Sequence, residues 1–167
     1  LVHHGHCICV CAGVKSDGSV KLRAVDDFTR SLCNEATQPT EKLKYEAIDS
    51  LLASIREMYT GAGDELELRK ADIDSAHRRC PLARESVDRS WTVFQRNCVP
   101  LAARHFALPF GSLASVHHWD RIGELLKVLA ERVLFLPVLR FVDDFFACER
   151  SGEAEHAARL FTRCASL

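Results

Sequence analysis

Residues 139–146 read Leu-Arg-Phe-Val-Asp-Asp-Phe-Phe, two adjacent carboxylates between two apolar, β-prone runs. The runs at 138–142 and 145–148 each have the composition of a short buried strand. Asp143 and Asp144 therefore fall at the tip of a tight hairpin, held out from a rigid apolar base. Adjacent acids in a loop are ordinarily solvated or cap a helix, but aromatic and apolar flanks on both sides argue against free solvation here. Two like charges side by side cost stability unless something positive sits on them. A divalent cation that prefers oxygen ligands is the usual solution, and Mg²⁺ typically takes one or two carboxylates plus substrate phosphates. Joined by a third Asp from elsewhere, such a pair forms the core of a two-metal phosphoryl-transfer site.

The elements around this pair limit where a third acid can come from. Residues 6–14 and 20–26 read as strands, and Asp17-Gly18 between them is a hairpin signal, which makes a basic hairpin carrying Lys15, Lys21 and Arg23. Thr40 is a plausible N-cap for a helix at 41–59, where Leu43, Ala47, Ile48, Leu51, Leu52, Ile55 and Tyr59 recur at helical spacing and Gly61 suits the stop. A strand over 66–73 ends in acid at Asp72, with Asp74 two residues on as a rival if that strand continued. Residues 90–96 and 101–108 suggest a further strand pair. The turn Pro109-Phe110-Gly111-Ser112 leads into a long helix at 113–135, with Val116, Trp119, Ile122, Leu126, Leu129 and Val133 as its apolar face and Pro137 at its end. A last helix is expected at 153–164. Strands and helices in this order imply an α+β chain, an antiparallel sheet packed on helices.

Composition is compatible with this reading but does not announce it. At 167 residues and 47% hydrophobic content the chain can bury one real core. A formal charge of −1 does not mark a nucleic-acid binder, although a site that collects carboxylates would mask basic surface elsewhere. No run of about 20 apolar residues supports a membrane span. The start, Leu-Val-His-His-Gly-His, lacks an initiator Met, a basic n-region and an apolar h-region, so no signal peptide is read and an intracellular location, cytoplasmic or nuclear, is expected. The eight cysteines form no disulfide-rich pattern and are expected to be reduced. His3, His4, His6, Cys7, Cys9 and Cys11 could in principle bind zinc. Without a C-x-x-C pair, the alternating cysteines read instead as one face of a strand.

Four segments, 23–28 (Arg-Ala-Val-Asp-Asp-Phe), 70–78 (Lys-Ala-Asp-Ile-Asp-Ser-Ala-His-Arg), 107–112 (Ala-Leu-Pro-Phe-Gly-Ser) and 141–144 (Phe-Val-Asp-Asp), stand in an order that resembles the fingers and palm of a retrotransposon-type reverse transcriptase, from about residue 15 to 156. The resemblance implies a polymerase palm with a partial fingers hairpin, fingers at 1–60 and palm at 61–167 in one compact unit. It implies RNA-directed DNA polymerase activity, nucleotidyl transfer from dNTP to a primer 3′-hydroxyl. Asp72 and Asp143 would hold two Mg²⁺ ions, with Mn²⁺ able to substitute, aided by the Ile73 carbonyl and by Asp144 as the weaker carboxylate. Asp72 is preferred to Asp74 because Ser-Ala-His-Arg-Arg-Cys-Pro-Leu fits the family frame only that way. Lys15 and Arg23 match the residues that grip the triphosphate, the Arg fork and the Lys point charge both suiting phosphate oxygens. Pro109, Phe110 and Gly111 match the loop under the nucleotide and template base, where Gly permits close backbone approach.

His77 departs from the pattern. The family usually has Phe or Tyr there, whose ring blocks a ribose 2′-hydroxyl, and an imidazole is smaller and can hydrogen-bond that hydroxyl. The implied partners are an RNA or DNA template with primer, dNTP, and thumb and RNase H domains of a parent polyprotein, since the chain stops just past the final palm helix. No membrane partner is implied. The alternative reading is a truncated, inactive remnant or a nucleic-acid-binding module without chemistry.

Overall fold

The computed structural model describes residues 6–14, 18–61, 63 and 65–166. In chain order these form β1 (His6–Val14), β2 (Val20–Asp26), α1 (Cys33–Ala36), α2 (Ile48–Met58), β3 (Leu66–Asp72), a 3₁₀ turn (Ala76–Arg79), α3 (Arg84–Val87), β4 (Trp91–Arg96), β5 (Val99–Arg104), α4 (Leu113–Val133), β6 (Val138–Phe141), β7 (Asp144–Arg150) and α5 (Ser151–Ala165). The chain is α+β with mainly antiparallel pairing. It builds two sheets, however, where one was expected. No helix among the described residues is long and apolar enough to cross a membrane.

Two compact units share the chain, Leu1–Glu41 with Ser75–Trp119 and Lys42–Asp74 with Asp120–Leu167. The division therefore does not follow a single break near residue 60. In the first unit the strand order is β2-β1-β4-β5. The β1–β2 hairpin runs from Val14↔Val20 to Ile8↔Asp26, as Asp17-Gly18 implies. Strand β4 adds to β1 in parallel and returns as β5 through Asn97-Cys98, both at positive φ, which suits a tight two-residue hairpin loop. Trp119, Leu108, Phe28 and Ala76 are buried in this unit.

The second unit is an antiparallel sheet in the order β3-β7-β6. Its core is Ala130, Leu136, Val138, Phe145, Ala157 and Phe161, with the Phe145 and Phe161 rings 5.0 Å apart. The two-residue period of a strand sends Phe145 into this core, while Asp144 and Phe146 point to the opposite face.

Two helix expectations need correction. Residues 42–47 are not helical, and α2 begins at Ile48. Tertiary contacts take that segment: Tyr45 lies 5.5 Å from the Phe141 ring, and the Glu46 carboxylate accepts the Arg140 N–H at 2.6 Å and pairs with Lys127. The apolar stripe of α4 is also rotated from the expected one, since Ile122, Leu129 and Val133 are exposed and Gly123 and Ala130 are buried. Small residues let the helix approach the sheet closely. A Cβ on Gly123 would stand 2.8 Å from an Arg140 guanidinium nitrogen.

Glu149 is buried on the inner face of β7, directly opposite Glu67 in the ladder, and its Oε2 has no hydrogen-bond partner. Burial pushes its carboxyl above the ordinary value of 4.5, Arg69 opposes this, and Glu153 adds to it. Below pH 4.5 both folded and unfolded chains hold the proton and no penalty arises. As pH rises past 4.5 the unfolded chain ionises first, and stability falls until the folded carboxyl has titrated too. Glu149→Met should therefore melt above the parent at pH 7, by about 1 kcal/mol of stability, with the advantage shrinking as the pH of the melts is lowered through 4.5. A gap that does not change with pH would refute the account.

Candidate functional site

The four motif segments fall into two groups, one in each unit. In the second unit, β3 ends at Asp72, and the ladder places Asp72 directly opposite Asp144. The backbone N–H of Ile73 donates to the Asp143 carbonyl at 3.3 Å, which extends the pairing one step past the strand. Asp143 sits in the turn and Asp144 is the first residue of β7, so only one of the two acids occupies the hairpin tip. Strand β3 stops before Asp74, and residues 74–75 turn, so the extended continuation that would have aligned Asp74 with Asp72 is absent.

Directly opposed carboxylates repel, and cross-strand like charges are destabilising. Lys70 answers that repulsion. It shares a strand face with Asp72, and its Nζ reaches diagonally to Asp144 Oδ2 at 2.8 Å. The Asp144 hydrogen bond, with further attraction from Asp72 and Asp143, holds the Lys70 ammonium above its ordinary 10.5. Among the described residues no group of three or more His, Cys, Asp or Glu is arranged to hold a metal ion. The observed arrangement is an opposed pair with a third acid in the adjoining turn. One or two carboxylates are what Mg²⁺ takes from protein when phosphates supply the rest.

The turn itself is strained. Val142 has φ +57, at the first position of a two-residue loop closed by the Phe141↔Asp144 pair, where glycine is the usual occupant. Arg140 supports it from the buried side. Its guanidinium donates to the Val142 carbonyl at 2.9 Å and pairs with Asp120 at 2.5 Å and Glu124 at 3.7 Å, while the residue is 2% exposed.

In the first unit the end of β2 and the Pro-Phe-Gly loop are pinned together. The Asp26 N–H donates to the Phe110 carbonyl at 3.2 Å, and the Asn34 side chain bonds both Gly111 O (3.0 Å) and the Leu113 N–H (2.8 Å). Pro109 is buried. Beside it the His77 ring meets Phe110 edge-on at 5.6 Å and Trp119 at 6.1 Å, and His77 is itself buried. Arg23 lies in β2 opposite Cys11; Lys15 lies outside the described residues, as do His3 and His4.

Asp26, buried at the base of this group, accepts from Thr92 Oγ1 at 2.6 Å, and His105 Nε2 lies 3.5 Å from its second oxygen. Burial alone would raise its carboxyl. The bonds to His105 and Thr92, with the charges of His105 and Arg78, outweigh this and hold it below the ordinary 3.8.

No protein-family model matches the chain, and no curated protein matches it.

Lys70, Arg140 and the Asp26–Thr92–His105 group were missed on sequence grounds. Two of them carried a signal. Arg140 is a lone charge inside the apolar run 138–142, and such a residue needs a buried partner; Lys70 is two residues before Asp72 and so shares its strand face.

Gly111 has φ +99, and a Cβ there would stand 2.2 Å from the Asp26 carbonyl oxygen, a backbone atom. Gly111→Ala should destabilise the first unit by about 2 kcal/mol, from left-handed strain plus displaced backbone. Urea unfolding measures it, and a loss below about 0.5 kcal/mol, the level of an ordinary surface change, would contradict the geometry.

Proposed function

We propose that this chain is the fingers-and-palm part of a retrotransposon-type RNA-directed DNA polymerase, adding deoxynucleotides to a primer 3′-hydroxyl on an RNA or DNA template. One observation carries the reading. The Asp72↔Asp144 register pair and the Ile73–Asp143 bond bring acids from distant parts of the sequence to one end of one sheet. The joining of β2, His77 and Phe110-Gly111 in the first unit supports it, since these are the remaining segments of the resemblance.

The chemistry of the donor set is of the kind magnesium takes. The acids at this sheet end are oxygen donors, and a cation, the Lys70 ammonium, already sits on one of them. Asp72 and Asp143 would hold the metal pair, with Asp144 and the Ile73 carbonyl in support. Bound there, Mg²⁺ supplies charge neutralisation at the phosphates and acidifies the 3′-hydroxyl. The protein's own contribution is positioning. The Asp72–Asp144 ladder fixes the carboxylate spacing, Arg23 and Lys15 would grip triphosphate oxygens, and Phe110-Gly111 would floor the nucleotide. Charge distribution is consistent with a polyanionic partner: residues 75–119 hold Arg78, Arg79, Arg84, Arg89, Arg96 and Arg104 against Glu85 and Asp88, a bias that the net charge of −1 conceals. A second reading, a nucleic-acid-binding remnant without chemistry, draws on the same Lys70 contact, which neutralises Asp144 with no metal at all.

Single-nucleotide primer extension on an RNA template with Mg²⁺ separates the two. The parent chain should incorporate dNTP, and Asp143→Asn should lose about a hundredfold or more while primer–template affinity is kept. Incorporation that survives this substitution sinks the metal assignment; template binding with no incorporation by the parent favours the remnant.

His77 yields a second test on the same assay. With a phenyl ring in its place the 2′-hydroxyl should be excluded, so His77→Phe should raise the dNTP/rNTP preference about tenfold. An unchanged ratio in an active variant would show that this side chain does not face the sugar.

A further inference from the structure

The contact between Lys70 and Asp144 has more in it than charge balance. Strand β3 is an edge of its sheet, with β7 on one side only. Lys70 and Asp72 project from the same face of it, opposite Phe146 and Asp144 respectively. The Lys70 stem lies along that face, with Nζ 2.8 Å from Asp144 Oδ2 and 5.9 Å from the centre of the Phe146 ring, and the side chain is 54% exposed. The ammonium therefore has two seats, a carboxylate and an aromatic face, and open solvent beside both. Its tie to Asp144 is of the exposed kind, whose net strength is small.

We propose that Lys70 is a built-in counter-cation of the carboxylate group, displaced when a divalent cation loads, so that this one side chain sets the metal concentration at which the site fills. The inference rests on the metal-site reading given above. Its physical basis is exclusion at a shared oxygen. A Mg²⁺ ion binds carboxylate oxygen at about 2.1 Å, so an ammonium at 2.8 Å from the same atom would stand within about 5 Å of a double positive charge. Both cannot hold Oδ2. The flexible four-carbon stem lets the ammonium leave without backbone movement, and the Phe146 face receives it, because a ring attracts a cation within about 6 Å. Without metal, Lys70 suppresses the Asp72–Asp144 repulsion that would otherwise push the ends of β3 and β7 apart. The neighbouring pair Arg69–Glu67 has no such role, since it lies on the other face of the strand.

The test is Mn²⁺ binding to the whole chain without nucleotide, followed by the electron paramagnetic resonance signal of the free ion. The set comprises the parent, Lys70→Met, Lys70→Gln, Lys70→Arg and Asp72→Asn, each checked for folding by circular dichroism. Lys70→Met and Lys70→Gln should bind Mn²⁺ about two- to fivefold more tightly, within the range an exposed ion pair carries. Lys70→Arg, which keeps the charge and can hold Asp144 through two donors, should bind no more tightly than the parent, and Asp72→Asn should lose affinity. If Asp72→Asn weakens binding but both neutral variants match the parent or bind less tightly, the counter-cation role is overturned and the metal site stands. If no variant shows binding that depends on Asp72, the metal-site reading falls and this inference with it.

Discussion

The second unit is organised around one buried cation. Arg140 is 2% exposed, and its buried Nε has no hydrogen-bond partner, so this guanidinium is tolerated out of water through the pairing of its charge and the bonds of its two terminal nitrogens. Asp120 and Glu124 on α4 meet the charge, and the Val142 carbonyl takes a donor. The Tyr45 ring lies 5.6 Å from the guanidinium carbon, and the Arg140 backbone N–H goes to Glu46, which Lys127 of α4 also holds. Helix α4, the segment before α2, strand β6 and the acidic turn thus converge on a single side chain. Gly123 is required by the same convergence, because any Cβ there would enter the space of the guanidinium. A glycine inside a helix costs about 1 kcal/mol relative to alanine, and the close approach that it permits is the compensation.

This network explains which parts of the unit could be read from sequence. The hairpin at 138–150 was legible because it is local, two apolar runs on either side of a short polar break, but its turn falls one residue earlier than expected, at Val142-Asp143, so Asp144 opens the second strand. Strand β3 was legible for the same reason. The helix expected at 41–59 was legible only from Ile48 on, because Tyr45 and Glu46 are bound to Phe141 and Arg140, residues far off in sequence, and those bonds outweigh a helical pattern of Leu43 and Ala47. The buried face of α4 was misjudged through size. Periodicity of large apolar residues selected Ile122, Leu129 and Val133, whereas close packing on the sheet selected Gly123 and Ala130.

In the first unit the hairpin β1–β2 followed from Asp17-Gly18, whereas the close approach of Gly111 to the Asp26 carbonyl was not read from sequence, where the resemblance assigns the glycine to a nucleotide contact. The Asp26–Thr92–His105 group left no local trace. Its members come from β2, from β4 and from just beyond β5, and only the sheet brings them together. Polar groups of this kind are invisible to pattern reading, because each of the three residues is ordinary in its own segment.

The acidic end of the second sheet therefore carries two cations at two depths, and the difference in depth separates their tasks. Arg140 is desolvated and doubly paired, so releasing it would leave part-buried Asp120 and a strained Val142 uncompensated. It is a fixture of the turn. Lys70 is half in solvent and held by one carboxylate, so releasing it costs little. If the acids bind a metal as proposed, both kinds have a use: a cation that never moves, to keep the acids in place against their own repulsion and the strain of the turn, and one that moves easily, to leave room for the ion. Exchanging the two would fail in either direction, since a lysine at 140 could not supply the fork that joins Asp120 to Val142, and an arginine at 70 could hold Asp144 in a bidentate grip.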